Sequence, residues 1–211
     1  MKICATTLGE TAGDLLSMTL NIGYIFSSVI LLGFFFVTLT IQLLSKEFNP
    51  VKYWAVILAT STAGTTISDF LDRSLGLGYA LGSTILLSLL LLTLLFWYLS
   101  EKSLSVTSIK SLKGEVFYWI AILFSNTLGT ALGDFLADDS GLGFFGGALL
   151  IASLLLLIVL CYYYTKTSKI VLFWIAFILT RPFGATFGDL LTKSSEKGGL
   201  NLGTIGSSLV L

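Results

Sequence analysis

Four copies of one short pattern, spread along the whole chain, restrict what this sequence can fold into more than any other feature. They read ATTLGETAGDLLS from residue 5, TSTAGTTISDFL from 60, SNTLGTALGDFL from 125 and TRPFGATFGDLL from 180. Each copy sets a glycine (Gly9, Gly64, Gly129, Gly184) five residues ahead of an aspartate (Asp14, Asp69, Asp134, Asp189). Asp14 and Asp69 stand as far apart as Asp134 and Asp189, and the middle interval is ten residues longer, so the chain is a pair of pairs. Fixed-period repetition of this length means that each unit buries its apolar face against its neighbours.

The repetition extends beyond the motif. Nine residues after the aspartate comes Gly23, Gly78 or Gly143, within NIGY, GLGY and GLGF, and in the fourth copy the segment KSSEKGG delays Gly203 by five residues. Fifteen residues before the aspartate stands Trp54, Trp119 or Trp174. In the first copy this position falls ahead of Met1, so the first repeat lacks the start of its first helix; the expectation is a truncated form of a longer protein.

Composition places these repeats in a membrane. The 211 residues are 55% hydrophobic and 11% charged, against roughly 25% charged in a soluble domain. Lys plus Arg and Asp plus Glu number 12 each, which excludes a nucleic-acid partner, and no histidine occurs. Cys4 and Cys161 lie in apolar runs without a CxxC spacing, so a disulfide framework and a zinc site lose support. The motif itself is no signal peptide, because glycines, hydroxyls and carboxylates stand where an apolar core is needed.

Apolar runs long enough to cross the hydrocarbon core, which takes about 20 helical residues, are predicted at about 20–44, 51–72, 75–99, 114–136, 142–164 and 169–191. Residues 1–16 and 200–211 read as incomplete first and last spans. The fold class is therefore all-α: a polytopic transmembrane bundle of four parallel two-helix repeats in one membrane domain, residues 1–211. The repeats run approximately 1–45, 46–100, 110–165 and 166–211. Two spans per repeat bring every copy in from the same side, so the pseudo-symmetry axis lies near the membrane normal and the four motifs share one depth.

Lysines set the orientation. The tryptophan-end loops hold Lys46, Lys52, Lys102, Lys110, Lys113, Lys166 and Lys169, whereas the aspartate end has Arg73, Lys193 and Lys197 beside Asp72, Asp138, Asp139 and Glu196. The positive-inside rule puts the tryptophans on the cytoplasmic side and the aspartates toward the outside. Fifteen residues of helix separate Trp54 from Asp69, about 22 Å, so that with Trp54 in an inner aromatic belt Asp69 falls in the outer third of the bilayer.

Gly9, Gly64, Gly129 and Gly184 are expected to let the first helices pack closely. An aspartate at a helix end could merely cap the next helix. The functional alternative is a ring of carboxylates around a central polar cavity. What breaks the repetition is more telling. After the glycine the copies read Glu10, Thr65, Thr130 and Ala185, and three before it they read Thr6, Ser61, Asn126 and Arg181. In a closed ring the first and fourth copies are neighbours, so Glu10 and Arg181 are expected to pair, as an ion pair that either locks the ring or gates it. Pro182 loosens the helix beside them.

The four copies, each with two apolar spans, a tryptophan and the Gly/Asp motif, together with ATTLGETAGDLLSMTLNIGY in the first, resemble a bacterial family of uncharacterised membrane proteins built from four tandem two-helix repeats. The resemblance covers essentially the whole chain and implies a bacterial inner-membrane location; it brings no settled activity.

Two function classes follow from the residues. One is a transporter, ion-coupled or not, for a small cation such as Mn²⁺ or Mg²⁺. Its pathway groups would be Glu10, Asp14, Asp69, Asp134 and Asp189, which are also the candidate metal ligands, with Thr7, Thr11, Thr62, Thr65, Thr66, Asn126, Thr127, Thr130 and Thr186 as neutral ligands. Oxygen-only ligands suit hard cations. The other is a non-transport scaffold or intramembrane binding protein. An enzyme is not expected, since HExxH, GxSxG and a Ser/Lys dyad are missing. The partners are the lipid bilayer and the cation, and no cofactor is implied beyond a bound divalent ion.

Overall fold

A computed structural model describes residues 1–45, 47–109 and 111–210, and among these there are helices and turns but no strand. Eight α-helices follow in order: α1 Lys2–Asp14, α2 Tyr24–Leu43, α3 Pro50–Asp69, α4 Gly78–Glu101, α5 Leu112–Asp134, α6 Gly143–Tyr164, α7 Lys169–Thr192 and α8 Gly203–Val210. Their starts are written locally. Pro50 opens α3 where its missing N–H costs nothing, and the Asn49 side chain accepts from Val51 N and Lys52 N. Ser111 Oγ accepts from Gly114 N at the head of α5.

The odd-numbered helices form the core. α1, α3, α5 and α7 each pack on the next and α7 returns to α1, closing a ring. The even-numbered helices lie outside it: α2 packs on α3, α4 on α5, α6 on α7, and the short α8 on α1 and α7. Each repeat thus lays its second helix on the first helix of the following repeat, and α8 completes the circuit. The outer helices turn large apolar side chains such as Phe26, Val37, Leu95 and Leu156 outward, as lipid contact requires.

Among the described residues five helices are long and apolar enough to cross a membrane: α2, α4, α5, α6 and α7. The sixth predicted span, α3, has 20 residues but falls outside this group. The reason is its second half, TSTAGTTISD, whose side chains are nearly all buried inside the ring and so need no lipid-compatible surface.

The motif glycines set the distance between ring helices. A Cβ at Gly9 would run into Ser61, at Gly129 into Arg181 and at Gly184 into Thr6, and at Gly64 it would stand 3.0 Å from Thr127 N. Every motif glycine therefore receives the neighbouring repeat, at or beside the residue three before that repeat's own glycine, always in the same sense around the ring. Gly13, Gly133 and Gly188 repeat the contact one turn on, against Thr65, Ala185 and Glu10. This is the small-residue packing by which membrane helices approach closely.

Turns of one kind join the paired helices. After the aspartate, Leu15–Thr19, Phe70–Ser74 and Phe135–Asp139 each form a π-helical turn. Two left-handed residues then reverse the chain: Asn21, Gly76, Gly141 and Asn201 at φ 54°, 70°, 78° and 57°, and two residues later Gly23, Gly78, Gly143 and Gly203. Only glycine and asparagine enter that region readily, which accounts for the NxG and GxG pairs. In the fourth repeat the inserted segment bulges out and rejoins through Asn201 N donating to Lys193 O at 2.9 Å.

One expectation is corrected. The aspartates do not cap the following helices, since α2, α4 and α6 have no side-chain cap. Of the repeat tryptophans, Trp54 stays partly exposed. Trp119 and Trp174 are buried, together with Trp97 of α4. Trp97 meets Trp174 edge-on at 5.8 Å, and Tyr118 meets Trp119 at 5.0 Å. Edge-to-face pairs of this kind stabilise beyond the area they bury. Beneath this cluster lies a cavity of about 530 Å³ lined by Tyr53, Tyr118, Trp119, Phe173, Gln42 and Glu115 among others.

Candidate functional site

A spacing of four residues keeps side chains on one face of a helix, and on the four ring helices that face meets its counterparts in tiers. From the tryptophan end outward the tiers are Lys2, Ile57, Ile122 and Phe177; then Thr6, Ser61, Asn126 and Arg181; then Glu10, Thr65, Thr130 and Ala185; then Asp14, Asp69, Asp134 and Asp189.

Arg181 occupies the centre with no solvent exposure. Its Nη1 donates to Thr6 O at 2.8 Å, Nη2 to Ser61 O at 3.1 Å and Nε to Asn126 O at 3.3 Å. These three carbonyls come from the positions equivalent to Arg181 in the other repeats. Nη2 also donates to Thr65 Oγ1 and to Thr130 Oγ1 (2.8 Å) and pairs with Glu10 Oε2 at 3.0 Å. One guanidinium therefore takes acceptors from all three other ring helices, at its own tier and the next. The expected Glu10–Arg181 ion pair is present. A buried charge needs such saturation, because moving it out of water unpaired costs several kcal/mol.

The aspartate tier is bridged by two cations that sequence reasoning left in the loops. Arg73 Nε lies 3.2 Å from Asp69 Oδ1, and its Nη2 lies 3.2 Å from Asp134 Oδ2. Lys193 Nζ lies 3.0 Å from Asp189 Oδ1 and 3.0 Å from Asp14 Oδ2. Each cation stands four residues after the aspartate of its own repeat and reaches the aspartate of the next, so the tier divides into two like halves. The corresponding positions in the first and third repeats are Met18 and Asp138, which cannot bridge. The signal was legible: a base at Asp+4 in alternate copies, one helical turn beyond the motif. Burial alone would lower the Lys193 ammonium, but the Asp189 and Asp14 carboxylates outweigh it and hold its pKa above the usual lysine range.

Between the two halves, carboxylate oxygens of Glu10, Asp134 and Asp189 lie within 4.8 Å of one another, all three residues buried. Asp69 Oδ2 is buried in the same tier without a hydrogen-bond partner among the described residues. Oxygen atoms so spaced can share one cation of the size of Mn²⁺, Mg²⁺ or Ca²⁺. Five buried carboxylates face three basic groups here, an excess of two negative charges.

The remaining residues proposed for the pathway fall elsewhere. Thr7, Thr62, Thr127 and Thr186 bond carbonyls of their own helices, as does Thr66, and Thr11 reaches Ser208 of α8 at 2.9 Å. None of the six contacts Arg181. They sit one or two residues off the tier face, where a helix turns its side chains toward its neighbours. Asn126 belongs to the ring, but its Nδ2 donates to Thr60 Oγ1 at 2.9 Å and its contribution to Arg181 is the backbone carbonyl. Lys2 donates from Nζ to Phe177 O at 2.7 Å, two tiers away from Glu10, and touches no carboxylate.

Fold and site together define a class: a membrane-embedded helical protein in which four tandem repeats close a ring around buried charge. The chain belongs to the family described as Repeat of Unknown Function (DUF347), which it matches over residues 1–48, 52–103, 117–168 and 172–211. No curated protein and no solved structure matches it.

Proposed function

We propose that this protein carries a small hard cation, of the kind of Mn²⁺ or Mg²⁺, across a bacterial inner membrane. The observation that carries the proposal is the convergence of Glu10 with Asp134 and Asp189, at the edge of an aspartate tier whose carboxylates outnumber its bases by two. Surplus charge of that size, buried among helices, is costly unless a cation neutralises it. Carboxylate oxygens without histidine or thiolate favour a hard ion.

At the aspartate end the tier is bridged by Arg73 and Lys193, both partly exposed. On the other side the Arg181 cage and the apolar tier of Ile57, Ile122 and Phe177 close the axis before the cavity at the tryptophan end. A site shut on one side and lightly latched on the other suits alternating access. With Arg73 and Lys193 drawn into the carboxylate tier, basic loop residues are still scarcer at the aspartate end, which supports an outward aspartate end and a cytoplasmic tryptophan end.

A second reading, a scaffold without transport, is favoured by the saturation of Arg181, which would suit a permanent lock. Flux in reconstituted vesicles separates the two. Protein-dependent uptake of Mn²⁺ or Mg²⁺, reduced at least about tenfold by Glu10→Gln, supports transport. Rates equal to those of protein-free vesicles for every mono- and divalent cation tested refute it.

A further inference from the structure

The cavity at the tryptophan end is built from parts unlike those of the carboxylate tier. We propose that it is a binding site for a small organic ammonium ion bearing a hydroxyl. Its volume, about 530 Å³, is that of a small-molecule site, and α2, α3, α5 and α7 all contribute to its wall. Tyr53, Tyr118 and Phe173 hold one position of the repeat, the residue before the tryptophan, and with Phe48 and Trp119 they line the space with aromatic rings. The Tyr53 and Tyr118 hydroxyls bond each other at 2.6 Å, and the Tyr53 ring packs on Trp119 at 5.6 Å. The wall is thus assembled before any ligand arrives. Aromatic rings attract ammonium groups, quaternary ones included.

The charge of the cavity agrees. Among the described lining residues the charged ones are Glu47 and Glu115, both acidic, and neither joins an ion pair among the described residues. Glu115 breaks the repeat: four residues before the tryptophan the copies read Pro50, Glu115 and Ile170. Lys52, beside the rim, donates to Ser45 Oγ at 3.0 Å. Glu47 and Phe48 are exposed, whereas Gln42, Tyr118 and Trp119 are buried, so one carboxylate stands at the mouth and the rings lie deeper. Gln42 Oε1 and Trp119 Nε1 are buried without a hydrogen-bond partner among the described residues, although buried polar atoms normally find one. A hydroxyl can serve both, donating to the amide oxygen and accepting from the indole N–H. A hard metal ion does not suit this wall, because it wants about six oxygen ligands and aromatic carbon supplies none. Nor is this an extension of the carboxylate tier, since Asp134 lies fifteen residues beyond Trp119 on α5, about 22 Å along the helix.

The test is calorimetric titration of choline chloride into the detergent-solubilised full chain. Saturable binding is expected, at least about tenfold tighter than that of the uncharged analogue in which carbon replaces the ammonium nitrogen. Glu47→Gln and Glu115→Gln each remove one carboxylate from an exposed or half-buried position, which spares the fold, and each should weaken choline by about threefold or more. Gln42→Leu should weaken choline and leave tetramethylammonium, which has no hydroxyl, nearly unchanged. A short-chain phosphatidylethanolamine that displaces choline assigns the ammonium to a lipid headgroup, and failure to displace it assigns a free solute; the site stands in both cases. Equal affinity for choline and its uncharged analogue overturns the proposal. So does binding unchanged in both glutamine variants, or no saturable binding by the folded protein up to about 10 mM choline.

Discussion

Replacing Arg181 by methionine removes the one side chain that ties all four ring helices together. The three carbonyls it caps belong to helix interiors and keep their own i+4 N–H partners, so their loss orphans little. The large term is Glu10, left buried at about 3% exposure with its nearest cation gone. Breaking one side of such a pair costs about 3–5 kcal/mol. Glu10→Gln alone leaves Arg181 with its neutral acceptors and costs about 1.5–3 kcal/mol, the worth of a hydrogen bond to a charged group. Combining the two removes both charges, so the double variant should be more stable than Arg181→Met alone by about 2 kcal/mol. Equilibrium unfolding in mixed micelles measures all four corners of this cycle. A single Arg181→Met within about 1 kcal/mol of wild type, or strictly additive effects, would refute the central placement of the guanidinium.

Other perturbations follow from the same geometry. Gly129→Ala and Gly184→Ala set a methyl against Arg181 and Thr6 and should cost about 1–3 kcal/mol by overpacking. Gly33→Ala on the outer helix α2, where the space is open, should be neutral or stabilising by up to about 1 kcal/mol in the same unfolding assay. Gly78→Ala forces a side chain into φ 72° at a turn and should cost about 1–2 kcal/mol, whereas Asn21→Gly should cost nothing. Lys193→Gln withdraws the cation that competes for Asp14 and Asp189, and Mn²⁺ should then bind roughly fivefold or more tightly in a calorimetric titration, as loss of a like charge a few Å away implies. Weaker binding in that variant would count against competition for those carboxylates.

Repetition made the architecture readable before any coordinate. Identical spacing of glycine and aspartate in every copy, with two apolar runs per repeat, implied parallel repeats, and charge at the two variable motif positions only in the first and last copies implied that the ring closes with Glu10 beside Arg181. What escaped was mostly the rotation of side chains about the helix axis. Thr7, Thr11, Thr62, Thr66, Thr127 and Thr186 share the motif with Thr65 and Thr130, and one residue of difference turns a hydroxyl by about 100° from the ring centre to its own backbone. Arg73 and Lys193 were read as loop charges because they follow the motif. Arg73 lies on a π-helical turn and Lys193 just past the end of α7, and both fold back over the aspartates. Trp174 and Trp119 turn inward against edge-on aromatic partners, Trp97 on α4 and Tyr118 on the same helix, which residue type alone does not reveal.

The ion site itself can be seen directly by anomalous diffraction from crystals grown with Mn²⁺. The structure predicts one manganese peak on the ring axis, within coordination distance of Glu10, Asp134 and Asp189, and its disappearance in Glu10→Gln. Manganese bound only at the exposed acidic loop around Asp138 and Asp139, with the three carboxylates bare, would contradict the account.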